Sequence, residues 1–177
     1  MDGPSYSWYN TFDRMFNPIP SPDPTKHNPM LRKLLETLTS PEIGWELNRI
    51  HLFGWGQGGS MALQVALNIH TSPIYQAQRL GSVISICGPL ISSLGQSQTP
   101  ALFFTRVAPQ SAVHNRLVAD MKRGFKEVEV INGEKGKSGE DMPRGRVEWE
   151  GIMRFWGNIL SKDESWKGKG EVYEVVR

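Results

Sequence analysis

The chain has 177 residues, 38% of them hydrophobic and 21% charged, with a formal net charge of +2. That length suits one domain with a real core, and the scattered basic residues leave no electrostatic footprint for nucleic acid. No apolar run approaches the roughly 20 residues of a membrane helix, so no membrane span is expected, and a mean hydropathy of −0.39 describes a soluble protein with long polar loops.

In chain order, MDGPSYSWYN lacks both a basic n-region and an apolar h-region, so no secretory leader is read there. A proline-crowded stretch follows, and Pro18, Pro20, Pro22, Pro24 and Pro29 exclude regular helix or central strand. Asn28 and Pro29 suit the N-cap and first position of a helix. Leu31, Leu34, Leu35 and Leu38 carry that helix at helical spacing to about Thr39.

From there the pattern alternates. Strands are predicted over Ile50–Phe53, Ser82–Cys87, Ala101–Thr105 and Glu127–Ile131, and helices over Gly58–Ile69, Ala112–Arg123 and Val147–Ser161. Short apolar strands alternating with amphipathic helices argue for an α/β fold, a mostly parallel sheet covered on both faces. Trp149, Ile152, Met153, Trp156, Ile159 and Leu160 form the core stripe of the last helix, with Arg146, Glu148, Glu150 and Arg154 largely off it. Residues 133–145 (GEKGKSGEDMPRG) read as an exposed loop. One domain is expected over residues 1–160, followed by a tail, 161–177, whose EVYEVV could form an edge strand.

The run RIHLFGWGQGGSMALQVAL, residues 49–67, is the most informative in the chain. A strand, a glycine turn and a helix in immediate succession have the shape of the nucleophile elbow G-x-S-x-G, which lifts a catalytic serine above a sheet. Gly56 stands where that serine would be. The elbow residue takes strained, positive-φ geometry that glycine adopts freely.

Beyond its general shape, this run resembles the phospholipase/carboxylesterase group of α/β hydrolases, which includes the acyl-protein thioesterases, in its G-F-S-Q-G-G turn and small apolar helix. LGSVISICGPL, TPALFF and MPRGRVEWEGIMRFW follow in matching order, and Ser7-Trp8-Tyr9-Asn10 resembles the group's S-W-[FY]-D segment. The proline loop and Met-Pro-Arg give the chain a fungal look. The resemblance implies an α/β-hydrolase-type sheet, here lacking the group's first strands, because Met1-Asp2-Gly3 already resembles the end of the fourth. It also implies a Ser-His-Asp hydrolase of esters or thioesters.

All three catalytic positions are read as vacated. The acid loop is Thr105-Arg106-Val107-Ala108-Pro109-Gln110, and no Asp or Glu occurs between Glu46 and Asp120. Glu140 stands near the histidine position. Gln57 retains one backbone donor of the oxyanion hole, while the second, from an early H-G loop, has no counterpart.

Other chemistry is weaker in the sequence. Ser60 is the nearest substitute hydroxyl, more simply a small residue in the first helical turn. Gly54, Gly56 and Gly59 fit G-x-G-x-x-G, but the ribose-binding acid about 20 residues on is absent. His27, His51, His70 and His114 lack ligand spacing, so no metal or cofactor is expected, and a weak His114–Ser111 pair is more simply a solvated helix start. Cys87, the single cysteine, excludes an intramolecular disulfide and suits a reducing, cytoplasmic setting. Its apolar strand suggests a buried, inert thiol.

The sequence thus describes a hydrolase-like pseudo-enzyme that binds a protein or acyl-type ligand. A weakly active carboxylesterase or thioesterase, using a substitute nucleophile or a partner chain, is the rival, and a truncated gene product the third reading. An uncovered sheet edge is expected to favour self-association.

Overall fold

The structure is a computed structural model describing residues 7–20, 22–69, 72–75, 78–92, 95–134 and 141–161. Its strands are β1 (His51–Trp55), β2 (Ser82–Ile86), β3 (Ala101–Thr105) and β4 (Val128–Asn132). Its helices are α1 (Asn28–Leu38), α2 (Gln57–Asn68), α3 (Ala112–Gly124) and α4 (Gly145–Ser161). The strands form one parallel sheet in the order β1-β2-β3-β4. Helical crossovers join β1 to β2 and β3 to β4, while among the described residues no helix lies between β2 and β3.

The register explains why the strands read as continuous apolar runs rather than alternating ones. Leu52, Val83, Ala101 and Val128 lie in one row, and Phe53, Ile84, Leu102 and Glu129 in the next. The first row and its equivalents pack under Leu35 of α1, Leu63, Ala66 and Leu67 of α2, and Met121 of α3. The second face, with Ile84, Ile86, Leu102 and Phe104 fully buried, is covered by Ile152 and Phe155 of α4. β2 and β3 are buried along their whole length, as expected of strands sandwiched between helices.

The helix starts follow local chemistry. The Ser111 side chain caps α3, accepting from the His114 backbone N–H at 3.1 Å. α1 begins one residue earlier than expected: Asn28 is already helical, following a 3-10 turn over Thr25–His27, and Pro29 fills an early position that requires no N–H. In α1, Leu35 is buried while Leu34 is 54% exposed, so the apolar stripe is narrower than its spacing suggested.

The last helix also corrects its predicted stripe. Met153 and Leu160 are exposed, and Phe155 occupies the core in their place. The buried line is Glu148, Ile152, Phe155 and Ile159, one face at i, i+4, i+7 and i+11, flanked by Trp149 and Trp156. Both tryptophans reach across to β1, packing on Phe53 with ring centroids 6.3 Å and 5.8 Å away. The predicted tail strand within residues 161–177 lies outside the described residues.

Candidate functional site

β1 ends at Trp55 and α2 begins at Gln57, so a single residue, Gly56, makes the whole turn between them. Its φ of 52° and ψ of −124° lie where L side chains are strained. The turn is pinned on both sides: the Gly56 N–H donates to the Ile86 carbonyl at 2.8 Å, and its own carbonyl accepts from the Ser60 N–H at 3.1 Å. A Cβ at Gly56 would meet nothing within 4 Å. A side chain at this position would therefore project into open space beyond the strand end, at the carboxyl edge where open α/β sheets hold their ligands. At Gly54 the opposite holds, since a Cβ there would collide with the carbonyl of Gly58. The first glycine of the motif lets strand and helix close on each other.

Gln57 opens α2, so its backbone N–H is among the four that the helix itself leaves unpaired. Its side chain clamps the preceding segment to the elbow. The Trp8 N–H donates to Gln57 Oε1 at 2.8 Å, and Gln57 Nε2 donates to the Tyr9 carbonyl at 3.2 Å. The indole of Trp8 meets the His27 ring edge-on at 5.8 Å.

Beyond β3, in the loop where the resemblance implied a carboxylate, the first buried side chain is a cation. Arg106 is almost wholly buried, its guanidinium 5.1 Å from the Phe104 ring centroid. Nη1 donates to Glu148 Oε1 at 2.8 Å and Nη2 to Glu148 Oε2 at 2.7 Å, a two-pronged pair. Nε reaches the Asp141 carbonyl at 3.0 Å, and Nη2 the Met142 carbonyl at 2.7 Å; Nη1 also donates to the Glu134 carbonyl. Glu148 in turn accepts from the backbone N–H groups of Glu134 and Arg144. The hydrogen bonds from Arg106 hold the Glu148 carboxyl down at about 2 against the opposing effect of burial, assisted by the two backbone donors. The same hydrogen bonds raise Arg106 above its ordinary value.

This pair ties the end of β3 to the approach to α4, and the sequence reading missed it. Glu148 was placed largely off the core stripe; its side chain is only 10% exposed. The available signal was its position four residues before Ile152 on the buried line.

Glu140, read near the histidine position, lies outside the described residues, as do His70 and Met1-Asp2-Gly3. Ser60 lies inside α2, fully buried, and its Oγ has no hydrogen-bond partner. No substrate reaches it without opening the helix. The Ser111 hydroxyl serves as a helix cap and does not pair with the His114 ring, whose Nε2 lies 2.8 Å from Asn132 Oδ1. His51 lies in β1 with Nδ1 2.8 Å from Ser82 Oγ.

Cys87 departs from its expectation. It lies just past β2 at φ 58°, only partly buried, with Sγ 3.7 Å from the Asp141 carbonyl. The strand stops one residue earlier than its apolar run because the backbone turns there. Among the described residues no group of three or more His, Cys, Asp and Glu is arranged to hold a metal ion, and no described helix is long and apolar enough to cross a membrane.

A parallel sheet, a one-residue turn of this geometry at the end of β1 and helices on both faces define an α/β-hydrolase-like fold. The comparisons agree with that class. No protein-family model matches the chain. It is 28% identical over 177 residues to a protein of Mycosarcoma maydis named "Uncharacterized hydrolase UM10204", covering 99% of this chain and 66% of that protein, so it spans slightly less than two thirds of the relative's length. In structure it resembles a point variant of Arabidopsis thaliana SOBER1, with a TM-score of 0.60 at 15% identity, covering 87% of this chain and 74% of that one.

Proposed function

We propose that the protein is a non-catalytic member of the carboxylesterase and acyl-protein-thioesterase type, using its elbow edge to bind an acyl-type ligand or a protein partner. One observation carries the reading: Gly56 occupies the turn with the strained geometry of a nucleophile, open space in front of it and no atom to attack with. Loss of a catalytic serine typically removes about 10⁶ in kcat. The loop read as the acid loop, residues 105–110, carries no carboxylate to orient a histidine, and its Arg106 is fully engaged with Glu148. Gln57 supplies a helix-start N–H suited to a carbonyl oxygen. A single cysteine suits a reducing, cytoplasmic setting.

The rival reading, a working ester or thioester hydrolase with a substitute nucleophile or a partner chain, draws on the name of the Mycosarcoma maydis relative. One experiment separates the two. Turnover of p-nitrophenyl esters and acyl-thioesters is measured for the unmodified protein, Gly56→Ser and Ser60→Ala. No turnover above background is expected in any of them. Turnover by the unmodified chain would overturn the proposal, and its loss in Ser60→Ala would name the nucleophile.

A further inference from the structure

Between Tyr9 and the proline stretch the chain folds back on itself in a short prong that the site does not use. Phe12 and Pro18 form an antiparallel bridge, the Ile19 N–H donates to the Thr11 carbonyl at 2.8 Å, and the Asp13 N–H donates to the Asn17 carbonyl at 2.9 Å. The Asp13 carboxylate is turned inward on the tip. It accepts from the backbone N–H groups of Met15 at 2.7 Å and Asn17 at 2.9 Å, and from Asn17 Nδ2 at 3.1 Å. These bonds hold Phe16 at φ 62°, a conformation an aromatic residue seldom takes. The outcome is an apex with Met15 81% exposed, Phe16 86% exposed and Phe12 55% exposed below them.

A water-soluble fold gains nothing by straining its backbone to hold two large apolar side chains in solvent. We infer that the prong Thr11–Ile19 is a membrane-surface anchor, its Met15–Phe16 tip entering the interface of a bilayer that carries anionic lipid. The shape is convex, so a fluid interface accommodates it without a matching pocket. Charge agrees. Arg14 sits between Asp13 and the tip, and Lys26, Arg32 and Lys33 follow along the chain. Between Thr11 and Leu38 these four cations stand against three carboxylates, Asp13, Asp23 and Glu36, a net charge of +1. An apolar tip with a cation beside it, here Arg14, suits a negatively charged leaflet. The prong leaves the fold just after Tyr9, whose carbonyl is held by Gln57, so anchoring would bring the elbow to the lipid surface. The anchor itself is argued from the prong; only its benefit to the site rests on the acyl-ligand reading.

The test is co-sedimentation with phosphatidylcholine vesicles, with and without phosphatidylserine, involving no acyl ligand and no turnover. Failure here therefore leaves the site's chemistry untouched, and failure of the turnover experiment leaves this result standing. The unmodified protein is expected to bind the phosphatidylserine vesicles more tightly, and more weakly as salt is raised. Met15→Ser/Phe16→Asn, in which asparagine tolerates the positive φ, should weaken binding about tenfold or more. Arg14→Glu should remove the preference for anionic lipid. Val113→Ser, a change at an exposed apolar residue of α3, should leave binding as it is. Absence of binding to either vesicle, or unchanged binding by the double variant, overturns the proposal. So does a dimer in vesicle-free solution that the double variant abolishes, which would assign the tip to a second copy of the chain.

Discussion

Replacing Glu148 by glutamine tests the buried pair at the heart of the loop between β4 and α4. The guanidinium of Arg106 is 2% exposed in its side chain, and glutamine leaves that charge without a counter-charge. Breaking a buried pair from one side costs about 3–5 kcal/mol, a large share of a typical domain stability of about 5–15 kcal/mol. The acid titration gives a second estimate. A carboxyl held at about 2 against its ordinary value of 4.5 corresponds to about 3 kcal/mol at neutral pH. Because the folded value is depressed, that stability is complete above the unfolded value and is lost as pH falls through the folded one. By pH 3 about 2 kcal/mol of it is gone. Urea unfolding followed by tryptophan fluorescence measures this directly, since six tryptophans are present. The gap in stability between the unmodified protein and Glu148→Gln should be several kcal/mol at pH 7 and should narrow by about 2 kcal/mol at pH 3. A gap under about 1 kcal/mol, or one that stays constant between the two pH values, would refute the account of this pair.

The other expectations concern the elbow. Gly56→Ser should fold and cost about 1–3 kcal/mol, because the backbone strain is real but its Cβ meets no neighbour; a larger loss in thermal unfolding would mean that the open space is illusory. Gly54→Ala should be far more damaging, since its Cβ strikes the Gly58 carbonyl, and a cooperative transition unchanged from the parent would contradict the close approach. Ser60→Ala removes a buried hydroxyl without a partner, so denaturant midpoints should hold or rise. Gln57→Ala should free the segment around Trp8, read as faster hydrogen exchange at that amide, at a stability cost of about 1–2 kcal/mol.

How far the sequence revealed this molecule depended on the range of the signals. Alternation of apolar strands with helical stripes is local, and it placed every strand and helix within a residue or two. The elbow was also local: a strand, Gly54 to Gly59 and a small-residue helix are contiguous, and the positive φ of Gly56 followed from the turn they imply. The ion pair was invisible because Arg106 and Glu148 are 42 residues apart in the chain. Only the assembled sheet edge makes partners of a residue after β3 and one in the first turn of α4. The turn at Cys87 was lost because the run SVISIC carries no signal for the positive φ that the backbone takes there, even as its N–H still bonds the Phe104 carbonyl of the neighbouring strand at 2.7 Å. Residues 12 to 16 read as ordinary loop, and only the side-chain bonds of Asp13 disclose that the loop has a fixed shape.

One consequence concerns the order in which the protein is made. Among the described residues one helix, α4, covers the second face of the sheet, touching β1 through Trp149 and Trp156 and β4 where Gly151 lies against Ile131. During synthesis the four strands leave the ribosome first, and α1 to α3 can dress only the opposite face. Until residues 145–161 emerge, Ile84, Ile86, Leu102 and Phe104 form a bare apolar sheet surface, the kind of surface that aggregates or engages chaperones. The nascent chain is therefore at greatest risk between the emergence of β4 and that of α4, and a ribosome pause ahead of α4 would prolong that exposure.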